Sequence, residues 1–177
     1  MKINVRGLKL AGLAGITAGA VALAVALSGT ALATPALTFV SEILSQTFFE
    51  SIKVNAHADD DGTGAHKVRI VARDPSDVFV VRNTVAPGGY SGWHTHPGPS
   101  VVVVKRGTAT VYEVEGTDCV QHTYPAGTGF VDAGGTHVHL VSNASATEIL
   151  ELYAFQIIPT GLARVISVTD PGLCPGL

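Results

Sequence analysis

The chain has 177 residues, with 11 Lys and Arg against 14 Asp and Glu, and a formal net charge of −3. It is 46% hydrophobic and 14% charged, which suits one domain with a real apolar core. Lys105-Arg106 is the one adjacent basic pair, so this acidic chain offers no surface suited to nucleic acid.

The first segment reads as an address. Lys2, Arg6 and Lys9 precede an apolar, Gly- and Ala-rich run over residues 10–27, and Ala31-Leu32-Ala33 follows as a small-residue cleavage site. Residues 1–33 are therefore expected to be a signal peptide, with Thr34 as the first residue of a secreted or extracytoplasmic protein. The alternative is an uncleaved membrane anchor, for which so many Gly and Ala residues make a weak span. No cysteine follows the run and no Arg-Arg pair precedes it, which argues against a lipid anchor and twin-arginine export. Cleavage removes three basic residues, moves the formal charge from −3 to −6, and leaves no stable membrane span.

Residues 34–65 read as an N-terminal extension ending in an acidic loop. Ile43, Leu44, Phe48, Phe49 and Ile52 can stripe a short amphipathic helix or sit on two short strands. Asp59-Asp60-Asp61-Gly62 lacks the alternating spacing and terminal glutamate of a calcium loop and reads as a solvated turn.

From residue 66 to 169 the pattern is β. Strands are expected over residues 68–72, 78–85, 101–105, 108–114, 120–124, 129–132, 136–141, 148–158 and 164–169. Pro87-Gly88-Gly89 is expected to end the second, and Arg106-Gly107 to join 101–105 and 108–114 as a hairpin. Short strands separated by Gly and Pro indicate an all-β sandwich or barrel. Residues 170–177 form a C-terminal tail.

Within that pattern the stretch Gly88 to Gly107 carries the chemistry. His94 and His96 share a face if the segment is extended, and two such imidazoles can converge on one ion, while Thr95 points away. A second pair, His137 and His139, repeats the spacing on the expected strand 136–141. Surface histidines on a strand are the alternative for the first pair.

The spacing resembles that of the cupin superfamily. Gly88, His94, His96 and Gly107 fall at the positions of its first motif, with Ser100 where the family has glutamate. Pro125-Ala126-Gly127, His139 and Asn143 match its second motif, over a gap longer than the family minimum. The resemblance spans residues 78–158. It implies a cupin-type double-stranded jelly-roll β-barrel, an N-terminal strand packed on it, and a divalent transition metal held by His94, His96 and His139. Neutral imidazoles suit Fe, Mn, Zn, Ni or Cu. Three ligands leave positions open for water or substrate. Without the glutamate the ion keeps its full charge, which favours an anionic or enolising substrate. Some members of the family are similar in using three histidines alone.

Other residues around this set have two readings each. His137 is either a fourth ligand or a partner of the ligands. Ser100 is either a partner of a metal-bound water or a small strand residue. Trp93, Tyr90, Tyr112, Tyr153 and Phe155 are candidates for the pocket wall, and Glu151 for an added acid. Three classes stay open: a metal-dependent oxygenase or isomerase, a metal-free module binding a small molecule or sugar, and an envelope structural protein. A homodimer is compatible with each. Finally, two cysteines in an exported chain point to a Cys119–Cys174 disulfide that ties down the tail.

Overall fold

The computed structural model describes residues 35–58 and 66–174. The expected signal peptide and the acidic turn at 59–62 lie outside the described residues. The strands are β1 (Leu37–Phe49), β2 (Ile52–Ala58), β3 (His66–Ala72), β4 (Ser76–Tyr90), β5 (His94–Thr95) and β6 (Ser100–Arg106). They continue as β7 (Thr108–Glu115), β8 (Asp118–Pro125), β9 (Gly129–Asp132), β10 (His139–Ser142), β11 (Leu150–Pro159) and β12 (Ile166–Ser167). The 34–55 segment thus takes the strand alternative: β1 pairs antiparallel with β4 along its whole length, from Leu37↔Tyr90 to Phe49↔Ser76. β2 and β3 form a separate two-stranded ribbon.

The remaining strands make one 10-stranded sheet that folds into two layers. One layer runs β1-β4-β11-β6-β9, the other β8-β7-β10-β5-β12, and Ser142↔Tyr90 joins β10 to β4 between them. This is the jelly-roll barrel.

Alternation explains why the layers face each other. In β6, Ser100, Val102 and Val104 are buried while Val101, Val103 and Lys105 are exposed, and β11 alternates in the same way from Leu150 to Ile158. The inward residues form a core of Val81, Val85, Val102, Val104, Val111, Leu150 and Leu152. Burying each of these aliphatic side chains stabilises by roughly 1.5–3 kcal/mol. A second cluster, Trp93, Leu140 and Cys174, packs separately from this core, with Tyr90, Tyr112 and Cys119 against it. There the Cys119–Cys174 disulfide forms as expected, with Cα atoms 5.2 Å apart.

Three elements differ from the sequence reading. First, Pro87-Gly88-Gly89 does not end a strand. β4 continues to Tyr90 through an irregularity in which Gly88 takes φ 70°. Second, residues 101–105 and 108–114 are strands but not a hairpin, because β6 pairs with β9 and β11, and β7 with β8 and β10. Gly107, at φ 76°, turns the chain from one layer into the other, and a Cβ there would press on the Ile149 carbonyl. Third, the strand expected over 136–141 begins only at His139, since Gly134 and Gly135, at φ 74° and 70°, turn the chain just before it. His137 therefore stands on a loop rather than on the strand, yet its ring still stacks beside that of His139, with centroids 5.9 Å apart.

Candidate metal centre

The two histidine motifs meet across one ladder. β10 lies antiparallel to β5 with His139 opposite His94, and His96 follows just past the end of β5. The three rings are buried against one another, with centroids 4.2 Å apart for His94–His139, 5.0 Å for His94–His96 and 5.4 Å for His96–His139. One ring nitrogen from each lies within 4.8 Å of the other two. Thr95, between them, turns away and its hydroxyl donates to the Gly135 carbonyl at 2.7 Å.

Backbone carbonyls fix the tautomers. Nδ1 of His94 lies 2.9 Å from the Gly92 carbonyl, and Nδ1 of His96 lies 2.7 Å from that of Arg164. A carbonyl can only accept, so each Nδ1 carries the proton and each Nε2 keeps a lone pair. Burial disfavours the charged imidazolium and pushes His94 and His139 down to about 3, with the crowding of the rings acting in the same direction. His96 is lowered as well, first by burial. Three neutral imidazoles with free lone pairs are the donor set a divalent transition ion requires.

These rings line a cavity of about 320 Å³ between the two layers. Its wall is apolar on one side, from Phe39, Phe130, Val102, Val141, Leu152 and Ala154, and polar on the other, from Asn83, Ser100, Gln156 and Arg164. None of the aromatic residues singled out from sequence lines it. Trp93 is core in the second cluster, Tyr90 and Tyr112 pack against that cluster, and Phe155 is exposed on the outer face of β11. Tyr153 is spent on Glu151, to which its hydroxyl donates at 3.0 Å, so Glu151 adds no acid to the cavity.

Ser100 faces the cavity but belongs to a neutral network. Its hydroxyl accepts from Gln156 Nε2 at 3.2 Å, and Gln156 Oε1 accepts from the Arg164 guanidinium at 3.0 Å. The residue that sequence reasoning missed is Asp132. It is 2% exposed, lines the same cavity, and puts Oδ2 3.9 Å from His96 Nε2 and Oδ1 3.9 Å from His139 Nδ1. Asp132 Oδ1 accepts from His137 Nδ1 at 2.8 Å and from the Gly134 amide at 3.1 Å. His137 thus turns towards Asp132, with Nε2 3.8 Å from Glu113, and does not line the cavity. A buried carboxylate thus lines the cavity although position 100 lacks the glutamate of the family motif. The signal available in sequence was only that Asp132 ends a short strand within the second motif.

Asn143, the motif asparagine, is structural. Its amide donates to the carbonyls of Val85 and Glu148 at 3.0 and 2.7 Å and so holds the turn from β10 to β11 against β4.

No family model matches the chain, and no curated protein matches it. Among solved structures it is similar to a cupin superfamily protein from Desulfitobacterium hafniense at 10% identity, over 46% of this chain and 67% of that one, with a TM-score of 0.40. It is also similar to an oxalate oxidase solved with the substrate analogue glycolate, at 26% identity, over 51% and 46% of the two chains, with a TM-score of 0.44. A third is a deletion mutant of oxalate decarboxylase from Bacillus subtilis, at 15% identity, over 51% and 24%, with a TM-score of 0.43. The match thus spans less than half of either oxalate enzyme. The decisive point is this chain's own arrangement: both motifs, read in order, fall where the jelly roll brings His94, His96 and His139 together inside the barrel. The chain is a jelly-roll barrel whose histidine motifs resemble those of the cupin superfamily. In this barrel Gly107 makes the corner between the layers, and Ser100 holds an inward position on β6.

Proposed function

We propose that this chain is a cupin, an exported metalloprotein that holds one divalent transition metal through His94, His96 and His139 and acts on a small anionic molecule. The observation that carries the reading is three buried, neutral imidazoles whose ring nitrogens converge on one cavity. Fe, Mn, Zn, Ni and Cu all accept such a donor set. A bound ion there would act as a Lewis acid towards a ligand in the cavity.

Arg164 supports the anionic half of the proposal. Its guanidinium lines the cavity, is partly buried, and among the described residues forms no ion pair. Hydrogen bonds to Gln156 Oε1 and Ser41 Oγ, at 3.0 and 2.9 Å, hold it in place without neutralising it. A cavity of about 320 Å³ sits at the lower end of the usual ligand-pocket range, which favours a small acid over a polymer. The Cys119–Cys174 disulfide supports an oxidising compartment. Among the described residues no helix is long and apolar enough to cross a membrane.

Calorimetric titration of metal-loaded protein with a panel of small mono- and dicarboxylates tests the reading, with oxygen uptake followed in parallel. Saturable binding that Arg164→Gln weakens at least tenfold is expected. Turnover of a bound acid would place the protein among the enzymes, whereas binding without turnover would make it a binding module. Equal indifference to acids and neutral sugars contradicts the anionic ligand.

A further inference from the structure

We infer that Asp132 supplies the carboxylate ligand that position 100 lacks, so that the acidic group of this metal site stands on β9 rather than on β6. The inference rests on the proposal that His94, His96 and His139 hold an ion.

The register of the sheet provides the first argument. Ser100 and Asp132 are direct Cα partners in the β6–β9 ladder, each 2% exposed and each lining the cavity. Directly opposed side chains on one face leave Cβ atoms about 4.5–5.5 Å apart. A carboxylate can therefore reach the same space from either strand. The exchange leaves a short side chain at position 100, where a carboxylate would crowd that of Asp132.

The two oxygens of Asp132 provide the second. Oδ1 is occupied by His137 Nδ1 and the Gly134 amide. Oδ2 is buried and has no hydrogen-bond partner. A buried carboxylate oxygen left without a partner is costly, and such groups are resolved by pairing or by coordinating a metal. Oδ2 lies 3.9 Å from His96 Nε2, the nitrogen whose lone pair is free because Nδ1 donates to the Arg164 carbonyl. Two donors bound to one ion at about 2.0–2.2 Å stand roughly 3–4.4 Å apart, so this separation fits a shared ion.

Position 100 provides the third. The Ser100 hydroxyl accepts from Gln156, which is itself fixed by Arg164. Its polar atom is satisfied by protein and needs no ion. His137 in this arrangement is a positioning residue, holding Oδ1 so that Oδ2 stays turned towards His96.

Cobalt(II) and zinc(II) titrations of the full exported chain test the assignment, with chelator competition for affinity and the visible spectrum of the cobalt form for coordination. Asp132→Asn keeps an acceptor for the Gly134 amide and removes the charge. It is expected to weaken both metals by more than about 100-fold, beyond the 10–100-fold typical of residues acting through a ligand, and to change the cobalt spectrum. Ser100→Glu is expected to bring no gain in the parent but to recover most of the affinity in the Asp132→Asn background. Parental affinity, or a weakening below 100-fold with an unchanged spectrum, overturns the assignment when His96→Ala in the same series loses its metal. Retention of metal by His96→Ala instead contradicts the three-histidine proposal beneath it. If Asp132→Asn does not fold, the infrared difference spectrum of the parent decides: metal loading must shift a carboxylate band, and no shift overturns the assignment.

Discussion

His94 and His139 are direct partners in the β5–β10 ladder, with ring centroids 4.2 Å apart, although they come from motifs well separated in sequence. Two imidazoles this close, both buried, oppose protonation of either. The fold holds both near 3, whereas the unfolded chain leaves them near the ordinary value of about 6.5. Above pH 6.5 both states are neutral and the fold loses nothing. As pH falls from 6.5 towards 3, the unfolded chain takes up protons that the fold refuses, so stability declines. The slope is roughly 1.4 kcal/mol per pH unit for each histidine. Urea midpoints of chelator-treated protein should fall between pH 7 and pH 4.5, and His94→Gln should lessen the fall. A flat profile in that window contradicts the buried, neutral assignment.

His137 is the residue for which sequence left two roles open. Its loop position, its 2.8 Å contact with Asp132 Oδ1 and its absence from the cavity wall predict that His137→Ala weakens metal binding about 10–100-fold without abolishing it. Loss as complete as in His96→Ala would make it a ligand. Chelator competition on the two variants separates the outcomes.

Gly134 is where the loop between β9 and β10 packs against the backbone of His96 and Gly98. Its φ is 74°, and a Cβ there would collide with the carbonyl oxygen of Gly98 and press on that of His96. Gly134→Ala should therefore cost about 2 kcal/mol or more in urea unfolding and weaken metal binding along with it. Gly116 has φ 64°, but a Cβ there would point into open space, so Gly116→Ala should cost only the conformational part, about 1 kcal/mol.

The Cys119–Cys174 bond closes a separation of 55 residues and fastens the tail onto Trp93 and Leu140. Chain entropy alone puts its contribution at about 4 kcal/mol. A Cys119→Ser/Cys174→Ser double variant should unfold at lower temperature by calorimetry, while binding the same amount of metal at room temperature, because the bond joins segments away from the cavity.

Much of the fold was legible because alternation is local. Residues 101–105 read as a strand from their valines alone, and β6 runs from Ser100 to Arg106. Pairing was not legible in the same way. Val104 and Thr108 look like two sides of a hairpin, yet Gly107 sends them into opposite layers, because each finds its partners far along the chain. The histidines at 94, 96 and 139 were visible through spacing. Asp132 was not, because its significance lies in facing Ser100 across the β6–β9 ladder, and only the register supplies that fact. The aromatic residues were misplaced for a related reason: alternation shows that neighbours face opposite ways, but not which face is inside.

The most direct measurement is the metal content of protein purified from the exported fraction, determined by elemental analysis beside His94→Ala, His96→Ala and His139→Ala. Close to one transition-metal ion per chain is predicted for the parent, and well under a tenth of that for each folded variant. Equal metal in the parent and all three variants contradicts the site.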